Sequence, residues 1–105
     1  MIVVVGRVST DDAKRAELVD VAHRVASASR QEAGCIDYRI YEDTEQPNEF
    51  VFVEEWEGEE ALQQHFRTAH IAEFMKAITA AIVTAPDVKF HHIASSRDLS
   101  EVGAG

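Results

Sequence analysis

The stretch FVFVEEWEGEEALQQHFRTAH, residues 50–70, limits the possible folds more than any other part of the chain. Phe50, Phe52, Glu54 and Trp56 alternate with Val51, Val53 and Glu55, the two-residue period of a β-strand with both faces largely apolar. Gly58 then starts a short helix over 58–67, with Leu62, His65 and Phe66 on one side. Thr68 caps a second helical segment, and His70 lies just inside it. A strand that runs directly into two helical segments has to lay them on its own sheet. Any functional site is expected where this strand end meets the first of the two helices.

The other elements follow in order. Residues 2–8 are β-branched and apolar at nearly every position and lack alternation, which predicts a strand covered on both faces. Ser9, Thr10, Asp11 and Asp12 form an N-cap cluster. Leu18, Val21, Ala22, Val25 and Ser29 then mark one face of a helix over about 11–32, ended by Gly34 in the left-handed conformation. Residues 35–42 read as a second strand with Ile36, Tyr38 and Ile40 on one face, joined through a polar turn at 43–49 to the strand 50–56. Ile71, Phe74, Met75, Ile78 and Ile82 repeat at helical spacing to about residue 83, where Ala85-Pro86-Asp87 stops the helix. Residues 88–94 form the last strand, and 95–105 are a polar tail, frayed or lying over a partner.

The order β-α-β-β-α-β predicts an α+β ferredoxin-like split βαβ fold, one domain over 1–94 with a four-stranded antiparallel sheet. Helices cover one sheet face, yet Val3, Val5, Val51, Val53 and Ile93 make the other face apolar as well. Such a patch marks an interface, and two sheets packed face to face would bury it. A homodimer, a dimeric α/β barrel, is therefore expected.

Composition excludes several function classes. With 105 residues the chain is one domain. A net charge of −9 argues against nucleic acid and against an anionic membrane surface. The single cysteine, Cys35, permits no internal disulfide and fits a reducing, cytoplasmic compartment. No GxGxxG, P-loop, HxxxH or CxxC pattern occurs, so neither a nucleotide nor a metal site is signalled.

Four features coincide: the topology, the Gly34-Cys35 entry into a strand bearing Tyr38, the Glu54-Glu55-Trp56 strand end, and the spacing Trp56…His65…Thr68-Ala69-His70. Together they resemble the antibiotic-biosynthesis-monooxygenase (ABM) domain family of the dimeric α+β barrel superfamily, nearest to its quinol-monooxygenase-like members. The resemblance spans residues 2–94 and implies a cofactor-independent monooxygenase with molecular oxygen as co-substrate. Haem-degrading relatives carry a tryptophan where this chain has His65 and a haem-ligating histidine near Met75, and neither matches. A related isomerase carries a glutamate, a histidine and Thr-x-His at positions like Glu54, His65 and 68–70. It also uses a lysine and a histidine near the first helix, where this chain has Val25 and its neighbours.

Oxygenation without a cofactor needs a quinol or polyphenol-like substrate, a base for its hydroxyl proton and a dry pocket between sheet and helices. His65 is the first candidate base, because its reference pKa of about 6.5 lies near working pH; it could equally be a buried histidine held by a hydrogen bond. Glu54, an acid on an apolar strand face, must be paired or strongly perturbed. It either orients His65, acts as a base, or pairs with Arg39 or Arg7. Trp56, Phe52, Tyr38, Phe66, Phe74 and His92 are the expected substrate-binding residues, with no metal ligand and no cofactor-binding residue. His70 is expected to be solvated or capping, His23 exposed and Cys35 structural. An isomerase or tautomerase, or a non-catalytic dimeric module that binds a small ligand or acts in stress response, is the alternative.

Overall fold

The computed structural model describes residues 1–103. The strands are β1 (Ile2–Ser9), β2 (Cys35–Glu42), β3 (Glu49–Trp56) and β4 (Asp87–His92). The helices are α1 (Arg15–Ser29), α2 (Glu59–His65), α3 (Ala69–Ala81) and α4 (Leu99–Val102). The sheet is antiparallel throughout, in the order β2-β3-β1-β4. This is the expected α+β ferredoxin-like architecture.

One sheet face is the core. Ile2, Val4, Val8, Phe50, Phe52, Trp56 and Tyr38 are buried on it against Leu18, Val21 and Val25 of α1 and Ile71, Phe74 and Ile78 of α3. Gly6 lies under the Phe52 ring, where an added Cβ would come within 2.7 Å of it. The opposite face carries Val3, Val5, Val51 and Val53, each half-buried within the chain, and no helix among the described residues covers it.

Several boundaries differ from expectation for local reasons. A 3-10 turn, Asp12–Lys14, precedes α1, and the Asp11 side chain accepts from Ala13 N at 3.0 Å. Helix α1 stops at Ser29 rather than near 32, because Gln31 and Glu32 turn back onto the carbonyls of Ala28 and Ser29. Gly34 is left-handed at φ +83 as expected, in the turn entering β2 rather than directly after the helix. Ile36 is exposed rather than sharing the Tyr38 face, because the β2–β3 register slips between Cys35 and Asp37 and leaves it as the extra residue of a bulge. Helix α3 ends at Ala81 instead of 83: Ile82 becomes extended to bridge Thr10, and Val83 N donates to Ser9 O. β4 begins at Asp87, and pairing continues past it where Ile93 N donates to Met1 O. The expected tail holds the exposed helix α4; its residues 104–105 lie outside the described residues. No helix among the described residues is long and apolar enough to cross a membrane.

Candidate functional site

The end of β3 and the helices beside it gather the polar residues of the core. Glu54 and Trp56 follow Phe52 on the core face of β3, and Tyr38 pairs with Glu54 from β2. His65 closes α2 with 1% of its surface exposed. Its ring lies 4.5 Å from Trp56, tilted by 41°, and 5.7 Å from both Tyr38 and Phe66. Strand, turn and helix thus deliver an acid, an indole, a phenol and an imidazole to one place. Thr68 fixes the α2–α3 junction: its hydroxyl donates to His65 O at 2.8 Å and accepts from Ile71 N.

Glu32, in the turn after α1, completes the group. Its Oε2 lies 2.7 Å from His65 Nδ1 and 2.7 Å from His70 Nε2. A carboxylate only accepts, so in neutral His65 the proton sits on Nδ1 and Nε2 is left basic. Burial pushes the His65 pKa down, partly opposed by Glu32, so the neutral imidazole is the dominant form at neutral pH. Glu54 accepts from Trp56 Nε1 at 3.0 Å. Burial nonetheless raises its pKa to about 7, against the lowering effect of that bond. The Tyr38 hydroxyl is buried outside hydrogen-bonding geometry. Burial first, and the Glu54 charge second, push its pKa up, so it stays a phenol.

Two expectations are corrected. Glu54 does not pair with Arg39 or Arg7. Both arginines are in register with Val53 and Val51 on the opposite sheet face, and Arg39 bonds Asp37. His70 is not simply solvated or capping, because Glu32 holds it. His23 is exposed, as expected. Cys35 is half-buried, with its pKa raised to about 11 by desolvation and then by Glu32.

A separate cleft of about 350 Å³ opens between α1 and the sheet. Val8, Leu18, Ala22, Phe50, Phe52 and Phe74 form its apolar lining, and Arg15, His23, Arg30 and Arg39 also border it. Phe52 and Phe74 meet edge-on at 5.4 Å and are the two anticipated binding residues that reach it. Tyr38, Trp56 and Phe66 surround His65 instead. Phe66 is half exposed and touches Phe90 of β4. His92 belongs to neither group: it is exposed on β4, 3.3 Å from Glu59. Glu32 was missed because helical periodicity makes it the last solvated residue of α1. The available signal was its position two residues before Gly34, whose carbonyl accepts from Glu57 N and ties this turn to the start of α2.

Comparison with known proteins bears on the family and the fold. The family model for antibiotic biosynthesis monooxygenase matches residues 1–77. The uncharacterised protein sll1783 of Synechocystis sp. is 33% identical over 98 residues, 93% of this chain and 67% of its own length. YcnE of Bacillus subtilis, which carries a provisional monooxygenase name, is 33% identical over 71% of this chain and 79% of its own. A Deinococcus radiodurans crystal structure provisionally named an antibiotic biosynthesis monooxygenase superposes with a TM-score of 0.88 at 24% identity, covering 94% of this chain and 98% of that one. By fold and by sequence, the chain belongs to the antibiotic biosynthesis monooxygenase family.

Proposed function

We propose that this protein is a cytoplasmic, homodimeric monooxygenase that oxidises a small quinol or polyphenol without metal or flavin. The observation that carries the reading is the buried His65 imidazole, held through Nδ1 by Glu32 and in ring contact with Trp56, whose indole in turn bonds Glu54. A cleft of about 350 Å³ lies at the small end of ligand pockets and suits one or two fused rings. The substrate ring rests against Phe50, Phe52 and Phe74. Displacement of the Phe52 ring brings its hydroxyl toward Glu54, the next residue on the same strand face.

His65 Nε2 is the base, and Glu54 shares the proton. The resulting anion gives one electron to O₂, and the two radicals join at a ring carbon. Loss of water from the peroxide leaves one oxygen atom on carbon as a carbonyl. Water, the other product, carries away the second oxygen, so the substrate's own electrons reduce O₂. The uncovered valines of the second sheet face supply the dimer contact, and sedimentation as a monomer at micromolar concentration would contradict it.

Chelator-treated protein should consume O₂ with a panel of quinols above the autoxidation background. His65→Ala should remove that excess while leaving the oligomer intact; full retention of activity would sink the assignment of His65. A second reading, a proton-shuttling isomerase, is favoured by Glu54 at about 7 and a neutral His65 on either side of Trp56. It predicts substrate deuterium exchange under nitrogen. Thermal stabilisation by a ligand with neither signal would mark a binding module.

A further inference from the structure

Glu32, His65 and His70 converge from three separate segments, so no linear motif announces them. One donor atom from each lies within 4.8 Å of the others, the one such group among the described residues. We propose that these three side chains form a binding site for a divalent transition-metal ion of the zinc class. Two imidazoles and one carboxylate are the donor set that such borderline ions take, with a further position left for water.

The hydrogen-bonded trio already gathers the three donor groups in one place. Both imidazoles aim a nitrogen at the same carboxylate oxygen, so an ion entering among the three would replace these two hydrogen bonds. Ligand atoms about 2.0–2.1 Å from a tetrahedral ion lie roughly 3.3 Å apart. The two 2.7 Å contacts would open by about half an ångström, and the ligand atoms, now within 4.8 Å of one another, would settle at that common spacing. His65 forms a dry inner wall, while His70, one quarter exposed, provides the way in. The Thr68 hydroxyl holds the α2–α3 junction that sets the two histidines' spacing.

The ion has a consequence for chemistry, and this step rests on the oxygenase reading above. An ion on His65 Nδ1 shifts the ring proton to Nε2, which then has no lone pair for a substrate proton. The ion-bound and base-competent forms are therefore mutually exclusive, and the site acts as an inhibitory metal switch.

The test uses full-length, chelator-stripped protein titrated with Zn²⁺ by calorimetry and with Co²⁺ by visible absorption. One ion per chain is expected. His70→Ala and the isosteric Glu32→Gln should each weaken binding at least about 100-fold. Replacing His91 and His92 together, which point to opposite sheet faces, should leave binding unchanged. Nitrogen NMR of His65 should show the proton moving from Nδ1 to Nε2 on Zn²⁺ addition. No saturable uptake below about 1 mM, or uptake indifferent to both His70→Ala and Glu32→Gln, would overturn the site. None of these readouts uses turnover, so failure of the metal site leaves the oxygenase reading standing, and an inactive protein leaves the metal site standing.

Discussion

The β3 end and the α1 cleft differ in what they lack. Around His65 the chain has chemistry and almost no space: Trp56, Tyr38 and His65 are each at most 1% exposed and in ring contact. Along α1 it has space and little chemistry: apolar walls bordered by cations, three of them already engaged by Glu42, Tyr38 O and Asp37. Phe52 belongs to both regions, because it lines the cleft and precedes Glu54 on the same face. In this family member, a void and a set of reactive groups occupy neighbouring halves of one layer, and a side-chain movement is what would join them.

The largest test of that contrast is truncation on either side. Trp56→Ala should cost roughly 3–5 kcal/mol in denaturant unfolding, because it leaves a cavity in close-packed surroundings. Val19→Ala, on the half-buried cleft wall, should cost under about 1 kcal/mol, since the cleft already supplies the space. Equal losses would mean that the cleft is packed in solution.

Next in size is the pH dependence set by Glu54. Its carboxyl ionises near 4.5 when unfolded and near 7 when folded, so the native state holds an extra proton between these values. Stability should therefore fall as pH rises from about 4.5 to 7 and level off above, by on the order of 3 kcal/mol in total. His65 gives the opposite slope below its ordinary value, since burial favours its neutral form. The difference curve between wild type and Glu54→Gln isolates the Glu54 share. Glu32, Tyr38 and Cys35 lie within its electrostatic reach and stay in place in that variant. A flat difference curve would mean that the β3 end is wetter than its burial implies.

A smaller effect is expected at Gly34, whose left-handed turn carries Glu32 toward His65. An added Cβ would meet Ala61 Cβ at 2.5 Å, and the φ of +83 disfavours any side chain. Gly34→Ala should cost about 1–3 kcal/mol and disturb the His65 and His70 NMR signals while leaving ligand binding in the cleft unchanged. An undisturbed His65 would show that Glu32 is held by α1 rather than by the turn.

Much of this was legible in the sequence, and the rest failed for identifiable reasons. The period-two pattern of 50–56 correctly placed Phe52, Glu54 and Trp56 on one buried face, because alternation follows directly from strand geometry. His65 was legible from its helical spacing with Leu62. Glu32 was not, because its role depends on where α1 stops and how the turn rotates, and helix ends are weakly encoded. Ile36 failed because a bulge inverts the facing rule locally. His92, expected among the binding residues, lies exposed instead: on an edge strand, alternation says which face a side chain takes but not whether anything covers it.

The smallest expected effect lies on the cleft border and should leave the β3 end untouched. Arg15 bonds both carboxylate oxygens of Glu42, and Asn48 N donates to one of them at 3.1 Å. The Arg15 bond is the leading reason that the Glu42 pKa falls to about 2. Arg15→Gln removes the cation while keeping a side chain able to donate, so the Glu42 carboxyl should titrate measurably higher by NMR. It should not return fully to its ordinary value, because the Asn48 amide remains. Both groups face solvent, so global stability should hardly move. The His65 and Glu54 titrations should stay where they are, since neither counts Arg15 or Glu42 among the causes of its shift. If Arg15→Gln moved either titration, charge on the cleft border would be coupled to the buried base, and the two regions would have to be treated as one electrostatic site.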